Sequence, residues 1–376
     1  MIELKAALRA VAWPFLASRL TVLALLIVFG NLELVRLQFV FVKETRIKLA
    51  TTPLTDVFSA GDAKWFRIIA EEGYVRAPFQ KGIQVNWAFF PLFPLTTRYL
   101  RAFPSYALNA TVLTHLYFLG ALLVLYALAR EAGCDDRVAR NAVGYAAFFP
   151  TAYFFSIPTS EALFVLLAGG CCVAAARHHW LLAGILGAGA SATRVQGVLL
   201  VAFLAVLWWK QGRRARDVVG VALVPAGLMA FCAFLWRITG NPIAFADIQG
   251  EWQRSTGLSF SQFTTFWRDL PVVSAEWNFR LLNVVMLLLL LAACGILAAK
   301  GQHALAAYVA ASVGVVLLSG SLQSIGRYVL STFPVFIALA SVGWSDRTHQ
   351  IAQSASAIVL GALTVLYALH YDLAMA

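Results

Sequence analysis

The chain has 376 residues, of which 61% are hydrophobic and only 12% are charged, with a formal net charge of +11. A soluble domain averages about 25% charged residues, so an ordinary water-soluble fold is excluded. Nucleic acid is also a poor partner for the positive charge, because the basic residues sit in short loops between apolar runs, where the cytosolic side of a membrane protein collects them.

Apolar runs of roughly 20 residues recur from end to end and do not alternate with polar residues. This pattern predicts an all-α polytopic membrane protein and disfavours a β-barrel. One integral-membrane domain over 1–376 is expected, with no soluble domain and no short repeat. Of the five cysteines, Cys171, Cys172, Cys232 and Cys294 lie in apolar runs and Cys134 in a short loop. No CxxC or His/Cys spacing suggests a metal, and no disulfide or cofactor is expected.

In chain order, Lys5 and Arg9 precede the first run, about Val11 to Leu32, and place the N-terminus in the cytosol. This run lacks a small-residue cleavage site and reads as a retained anchor. An outer loop over about 33–105 follows. Within it, Asp62 opens an amphipathic segment in which Trp65, Phe66, Ile68, Ile69 and Tyr74 form the apolar side and Lys64, Arg67, Glu71 and Glu72 the polar side. Such a helix lies in the membrane interface, and Gly73 is a natural stop. Pro91 and Pro94 make a full span at Asn86–Leu95 unfavourable, so that run is expected to be interfacial.

A span over about 106–129 returns to an inner turn marked by Arg130, Arg137 and Arg140. The chain goes out to Pro150, rounds a polar corner at Ser156–Glu161 and comes back in by Ala176. The apolar stretch Trp180–Trp209 is bracketed by basic residues at both ends, so both ends belong inside. Two short helices meeting at an outer apex satisfy this, with Arg194 at the apex and small residues Gly184, Gly187, Ala188 and Gly189 allowing close packing. A span from Asp217 leads to a second outer loop over 239–279, whose Phe260–Trp267 part reads as another interfacial helix. Spans over 280–299 and 304–319, an outer corner at 319–328, and a last pair over 328–342 and 351–370 bring the tally to about eleven crossings.

This topology puts Asp62, Glu161, Arg194, Gln196, Asp247, Gln249 and Arg327 on the outer side. One acid and two arginines at a bilayer surface suit transfer from a lipid-linked phosphate. Arg194 and Arg327 would clamp the phosphate with forked, charge-assisted bonds. Asp62 would take the proton of an acceptor hydroxyl. A single base opposite the leaving group predicts direct displacement with inversion. Each residue also has a plainer reading. Asp62 is a favoured N-cap type, Glu161 can cap the helix it begins, Arg194 can snorkel, and Gln249 and Trp252 are either sugar contacts or ordinary interfacial residues. His115 reads as a satisfied core histidine.

Six segments carry a family resemblance: Asp62–Tyr74, Phe89–Pro94, Tyr153–Leu163, Ala192–Gly197, Gly240–Phe245 and Arg327–Phe336. In this order they resemble the GT-C membrane glycosyltransferases, specifically the PIG-V-like mannosyltransferases, over most of the chain. The resemblance implies a GT-C-like fold, a polyprenyl- or dolichyl-phosphate mannose donor, Asp62 as catalytic acid/base residue, and a glycan, glycolipid or protein acceptor. Lys64, Trp65 and Tyr328 lie in the matched segments and join Arg194, Arg327, Gln196, Glu161, Gln249 and Trp252 as substrate-binding candidates. Family members often carry Trp just before the catalytic Asp, where this chain has Gly61, so Asp56 stays open as an assisting acid. Short loops point to a bacterial inner membrane with the site facing the periplasm. The rival reading is a transporter or flippase for a lipid-linked sugar, which would use arginines on phosphate but not an acid on an interfacial helix.

Overall fold

The computed structural model describes residues 4–38, 43–49, 61–252, 279–319, 322 and 324–369. Asp56, Arg254 and the segment Phe260–Trp267 lie outside these residues, as does the side chain of Trp252.

The first helix, α1, runs over Leu4–Gly30. At 1.5 Å per residue its 27 residues give about 40 Å, more than the roughly 30 Å of a bilayer core. Three other helices are equally suited to crossing: α4 (Tyr106–Glu131), the Leu282–Ala299 part of α12 (Phe279–Ala299), and α16 (Asp346–Ala368). A fifth span is broken. The segments Ala215–Leu223 and Ala226–Thr239 meet at 42°, with Pro225 at the bend, where proline removes a helix donor and its ring crowds the preceding turn. Shorter apolar helices cover Glu161–Ala176 (α6), Trp180–Thr193 (α7), Val195–Lys210 and His303–Leu318 (α13). Against the expected count of about eleven crossings, the described residues show four full-length spans, one bent pair and these shorter helices.

The outward faces of these helices are apolar. Trp13, Leu16 and Leu20 on α1, Met229 and Trp236 on the bent span, and Ile351 and Ile358 on α16 are all exposed. In water this surface would be costly; against lipid tails it is ordinary. The chain is a multi-pass membrane protein.

The all-helical expectation needs one amendment. Directly after α1 the chain forms an antiparallel hairpin, β1 (Leu32–Gln38) paired with β2 (Lys43–Leu49), in which Glu33 faces Lys48 across the strands. Stretches such as Arg46-Ile-Lys-Leu49 alternate polar and apolar with period two, the strand signature. That signal is short and sits between longer apolar runs, which is why it reads as loop beside them.

The interior is organised on α4, which packs against α6, which in turn packs against α7. Phe118 on α4 stacks on Phe155 at 4.4 Å between ring centres, and Phe333 and Phe336 are fully enclosed. The approach of α7 to the bent span depends on missing side chains. A Cβ on Gly184 would lie 2.7 Å from the Gly220 carbonyl oxygen, and one on Gly220 would lie 2.3 Å from the Trp180 carbonyl oxygen. The predicted last span but one is also interrupted. It forms α14 (Ile325–Ser331) and α15 (Pro334–Ala340), because Pro334 starts a new helix better than it continues one.

Candidate active site

Asp62 immediately precedes α2 (Ala63–Glu71), which is amphipathic as its pattern requires: Ala63, Phe66, Ile69 and Ala70 are buried, and Lys64 and Arg67 are exposed. Phe66 lies edge-on to both Phe89 and Phe93, each at 5.3 Å between ring centres, and this aromatic set docks α2 on α3 (Leu92–Tyr99). Gly61 has φ +58°, a left-handed conformation that costs a β-carbon dearly. A glycine at position 61 therefore matches the backbone of this turn. Although Asp62 occupies the cap position, its side chain makes no capping hydrogen bond. Its carboxylate accepts from Arg327 Nη1 instead.

Arg194 lies where the helical pair breaks. α7 ends at Thr193, Arg194 is extended at φ −156°, ψ 145°, and a 3-10 turn over Val195–Leu199 leads into the next helix. Gly197 allows this fold-back, since a Cβ there would come within 2.3 Å of the Ser191 backbone nitrogen. Arg194 Nη1 donates to Glu161 Oε1 at 2.7 Å and to Ser160 Oγ at 3.1 Å, and its Nε donates to Gln196 Oε1 at 3.0 Å.

Arg327, on α14, comes from the far end of the chain. Its Nε donates to the same Glu161 Oε1 at 2.6 Å, and its guanidinium lies over the Phe154 ring at 4.8 Å. Glu161 thus bridges the two arginines while Asp62 caps the outer end, giving the order Arg194, Glu161, Arg327, Asp62. Side-chain exposure is 0% for Glu161, 7% for Arg327, 16% for Arg194 and 26% for Asp62, so Asp62 is the most accessible member. With two guanidiniums and two carboxylates the group is formally neutral.

Asp62, Arg194 and Arg327 open onto a cavity of about 290 Å³. Asp62, Arg194, Gln196, Gln249, Arg327 and Tyr328 line it, with Ser160, Thr193, Ser319 and Ser324, and an apolar wall of Phe66, Phe89, Phe90 and Phe245. Gln249 Nε2 donates to the Phe245 carbonyl at 2.9 Å, which fixes the short helical segment Ala244–Asp247 beside the cavity.

The other candidates are placed differently. Glu161 is behind the cavity rather than on its wall and reaches its contents only through the arginines. Lys64 is exposed, 5.9 Å from the Trp65 ring, and Trp65 stacks on Phe89 at 5.8 Å; neither lines the cavity. The backbone of Trp252 ends the turn Ile248–Trp252.

Sequence reasoning overlooked two contributors. Ser324, with φ +61°, is a non-glycine residue in the left-handed region one turn before Arg327, the kind of strained backbone that gathers at functional sites. Arg19, in the middle of α1, is buried with no carboxylate partner among the described residues. It donates to the carbonyls of Ala152 at 2.8 Å and Ala147 at 3.1 Å and to Ser156 Oγ at 2.9 Å, and lies 4.6 Å from the Phe118 ring. It therefore anchors the corner that leads to Ser160 and Glu161. A lone arginine within a long apolar run was the available signal for it.

No protein-family model matches the chain, and no curated protein matches it. Among solved structures it is similar to the Archaeoglobus fulgidus oligosaccharyltransferase tethered with an acceptor peptide containing an NVT sequon, at 14% identity and a TM-score of 0.46, over 97% of this chain and 54% of that one. The same enzyme in complex with zinc and sulfate gives 14% identity and 0.46 over 94% and 53%. The archaeal oligosaccharyltransferase AglB from the same organism, in complex with an inhibitory peptide and a dolichol-phosphate, gives 14% and 0.45 over 94% and 56%. The chain spans about half the length of these structures. Likeness at this level equates no individual residues.

Proposed function

We propose that the chain is a GT-C-type glycosyltransferase that moves mannose from a polyprenyl-phosphate donor to an acceptor hydroxyl at the outer membrane face, with inversion. The observation that carries this reading is the meeting of Asp62, Arg194 and Arg327, from three distant parts of the sequence, on one cavity with an aromatic wall. The resemblance of the segments around these three residues to the PIG-V-like mannosyltransferases supports the sugar and the carrier.

Arg194 and Arg327 hold the phosphate and offset the charge that builds on its bridging oxygen. The acceptor oxygen attacks the anomeric carbon from the face opposite the phosphate. The bond from that carbon to the phosphate oxygen breaks, and the electron pair leaves with the lipid phosphate. The hydroxyl proton passes to Asp62. Glu161 touches no substrate; it holds the two guanidiniums at a fixed spacing. Phe89 and Phe245 offer apolar surface to the sugar or to the first lipid units.

The test incubates purified protein with polyprenyl-phosphate mannose and an acceptor or water, and follows release of the lipid phosphate. Wild type releases it, and Asp62→Asn is slower by about 10²- to 10⁴-fold, the usual contribution of a positioned base. Equal rates for the two proteins would refute the assigned role. Passage of sugar across liposomes with the phosphate bond intact would establish the transporter reading instead. The anomeric configuration of the product decides inversion.

A further inference from the structure

We propose that the Asp62–Arg327 ion pair is a latch opened by the donor's phosphate: Arg327 exchanges Asp62 for a phosphate oxygen, and the released carboxylate then meets the acceptor hydroxyl. This rests on the phosphate site proposed above. Three observations carry it.

The first is how Arg327 is held. Its Nε and Nη2 both reach Glu161 Oε1, each at 2.6 Å, on the side away from solvent. Only Nη1 turns to Asp62. The guanidinium is thereby fixed from behind while its cavity-facing arm is held by the most accessible carboxylate of the group.

The second is how Asp62 is held. Its side chain makes no capping bond to its own helix, and Gly61 precedes it in a turn. A rotation about the Asp62 side chain can release Arg327 without unwinding α2.

The third is charge. Arg194, Glu161, Arg327 and Asp62 are formally balanced, so an incoming phosphodiester adds an unmatched negative charge beside Asp62. A carboxylate and a phosphate competing for one guanidinium arm repel each other. While Oδ2 serves that arm, only the other carboxylate oxygen is left for the acceptor's proton. One exchange resolves both conflicts, and it couples base release to donor binding.

The experiment measures binding of geranylgeranyl phosphate in detergent micelles to wild type, Asp62→Asn, Arg327→Gln and the double variant. Removing the competing carboxylate is expected to tighten binding by about two- to five-fold, the factor that loss of a partly exposed ion pair allows. In the Arg327→Gln background the Asp62→Asn change should alter affinity by less than about two-fold, because the two effects act through one contact. Unchanged or weaker binding by Asp62→Asn, with wild type binding normally, would overturn the latch and leave the phosphate site standing. Absence of binding by wild type would overturn both. If Asp62→Asn does not fold, infrared difference spectra of wild type answer the same question. Phosphate binding should shift an aspartate carboxylate stretch, and its absence would overturn the exchange.

Discussion

The bridge at Glu161 makes the sharpest demand on stability. One oxygen, Oε1, accepts from Arg194 at 2.7 Å and from Arg327 at 2.6 Å, and the residue has no exposed surface. Hydrogen bonds involving a charged group contribute about 1.5–3 kcal/mol each, so loss of both contacts costs about 3–6 kcal/mol. The independent figure for removing one member of a buried ion pair is about 3–5 kcal/mol, since the remaining charges lose their compensation. The two routes agree on about 4 kcal/mol for Glu161→Ala, a large share of the roughly 5–15 kcal/mol of a typical domain. Glu161→Gln keeps an acceptor oxygen and loses only the charge, so about half that cost is expected. The assay is thermal or denaturant unfolding in detergent, together with Glu161→Ala in an Arg194→Met background. Removing Arg194 first relieves one of the stranded cations, so the second substitution should then cost less. Unfolding curves for Glu161→Ala and wild type that coincide would refute the bridge, and strictly additive effects of the two substitutions would refute the coupling.

Further outcomes follow from single backbone and packing features. Gly61→Ala should destabilise the protein by about 1–2 kcal/mol through its left-handed φ of +58°, measured by the same unfolding assay; a neutral result would mean the turn before Asp62 is free to rearrange. Gly184→Val should sharply reduce the yield of folded protein in size-exclusion chromatography, because its Cβ would lie 2.7 Å from the Gly220 carbonyl oxygen, whereas Gly314→Ala, with open space around it, should be stabilising by about 0.5–1 kcal/mol. Arg19→Lys keeps the buried charge but loses the fork that spans Ala147, Ala152 and Ser156, and about 2 kcal/mol of destabilisation is expected; an unchanged unfolding midpoint would show that the corner at 147–156 holds itself.

Much of the architecture was legible because lipid imposes a simple code. Long apolar runs such as Leu4–Gly30 and Tyr106–Glu131 must be helical, since no water is present to satisfy their backbone groups. Basic brackets around Trp180–Trp209 implied a fold-back, and the small residues within it implied close packing. The break at Arg194 sits at the apex of that fold-back. The hairpin over 32–49 was not legible in the same way, because a short alternating pattern is a weak signal beside strong apolar ones.

The candidate site divides differently. Loop charge led to the expectation that Asp62, Arg194 and Arg327 share one side of the membrane, and the fold brings all three to one cavity. The pairing among them was decided only by the tertiary structure. Glu161 begins a helix in the sequence and looks like a cap; folded, it is the buried bridge that turns two mutually repelling guanidiniums into a fixed pair. Asp62 likewise looks like a cap and instead accepts from an arginine 265 positions away. Capping propensity is a local preference worth about 1 kcal/mol. It yields when packing leaves a buried guanidinium in need of a counter-charge, and no pattern in the linear chain says which arginine that will be.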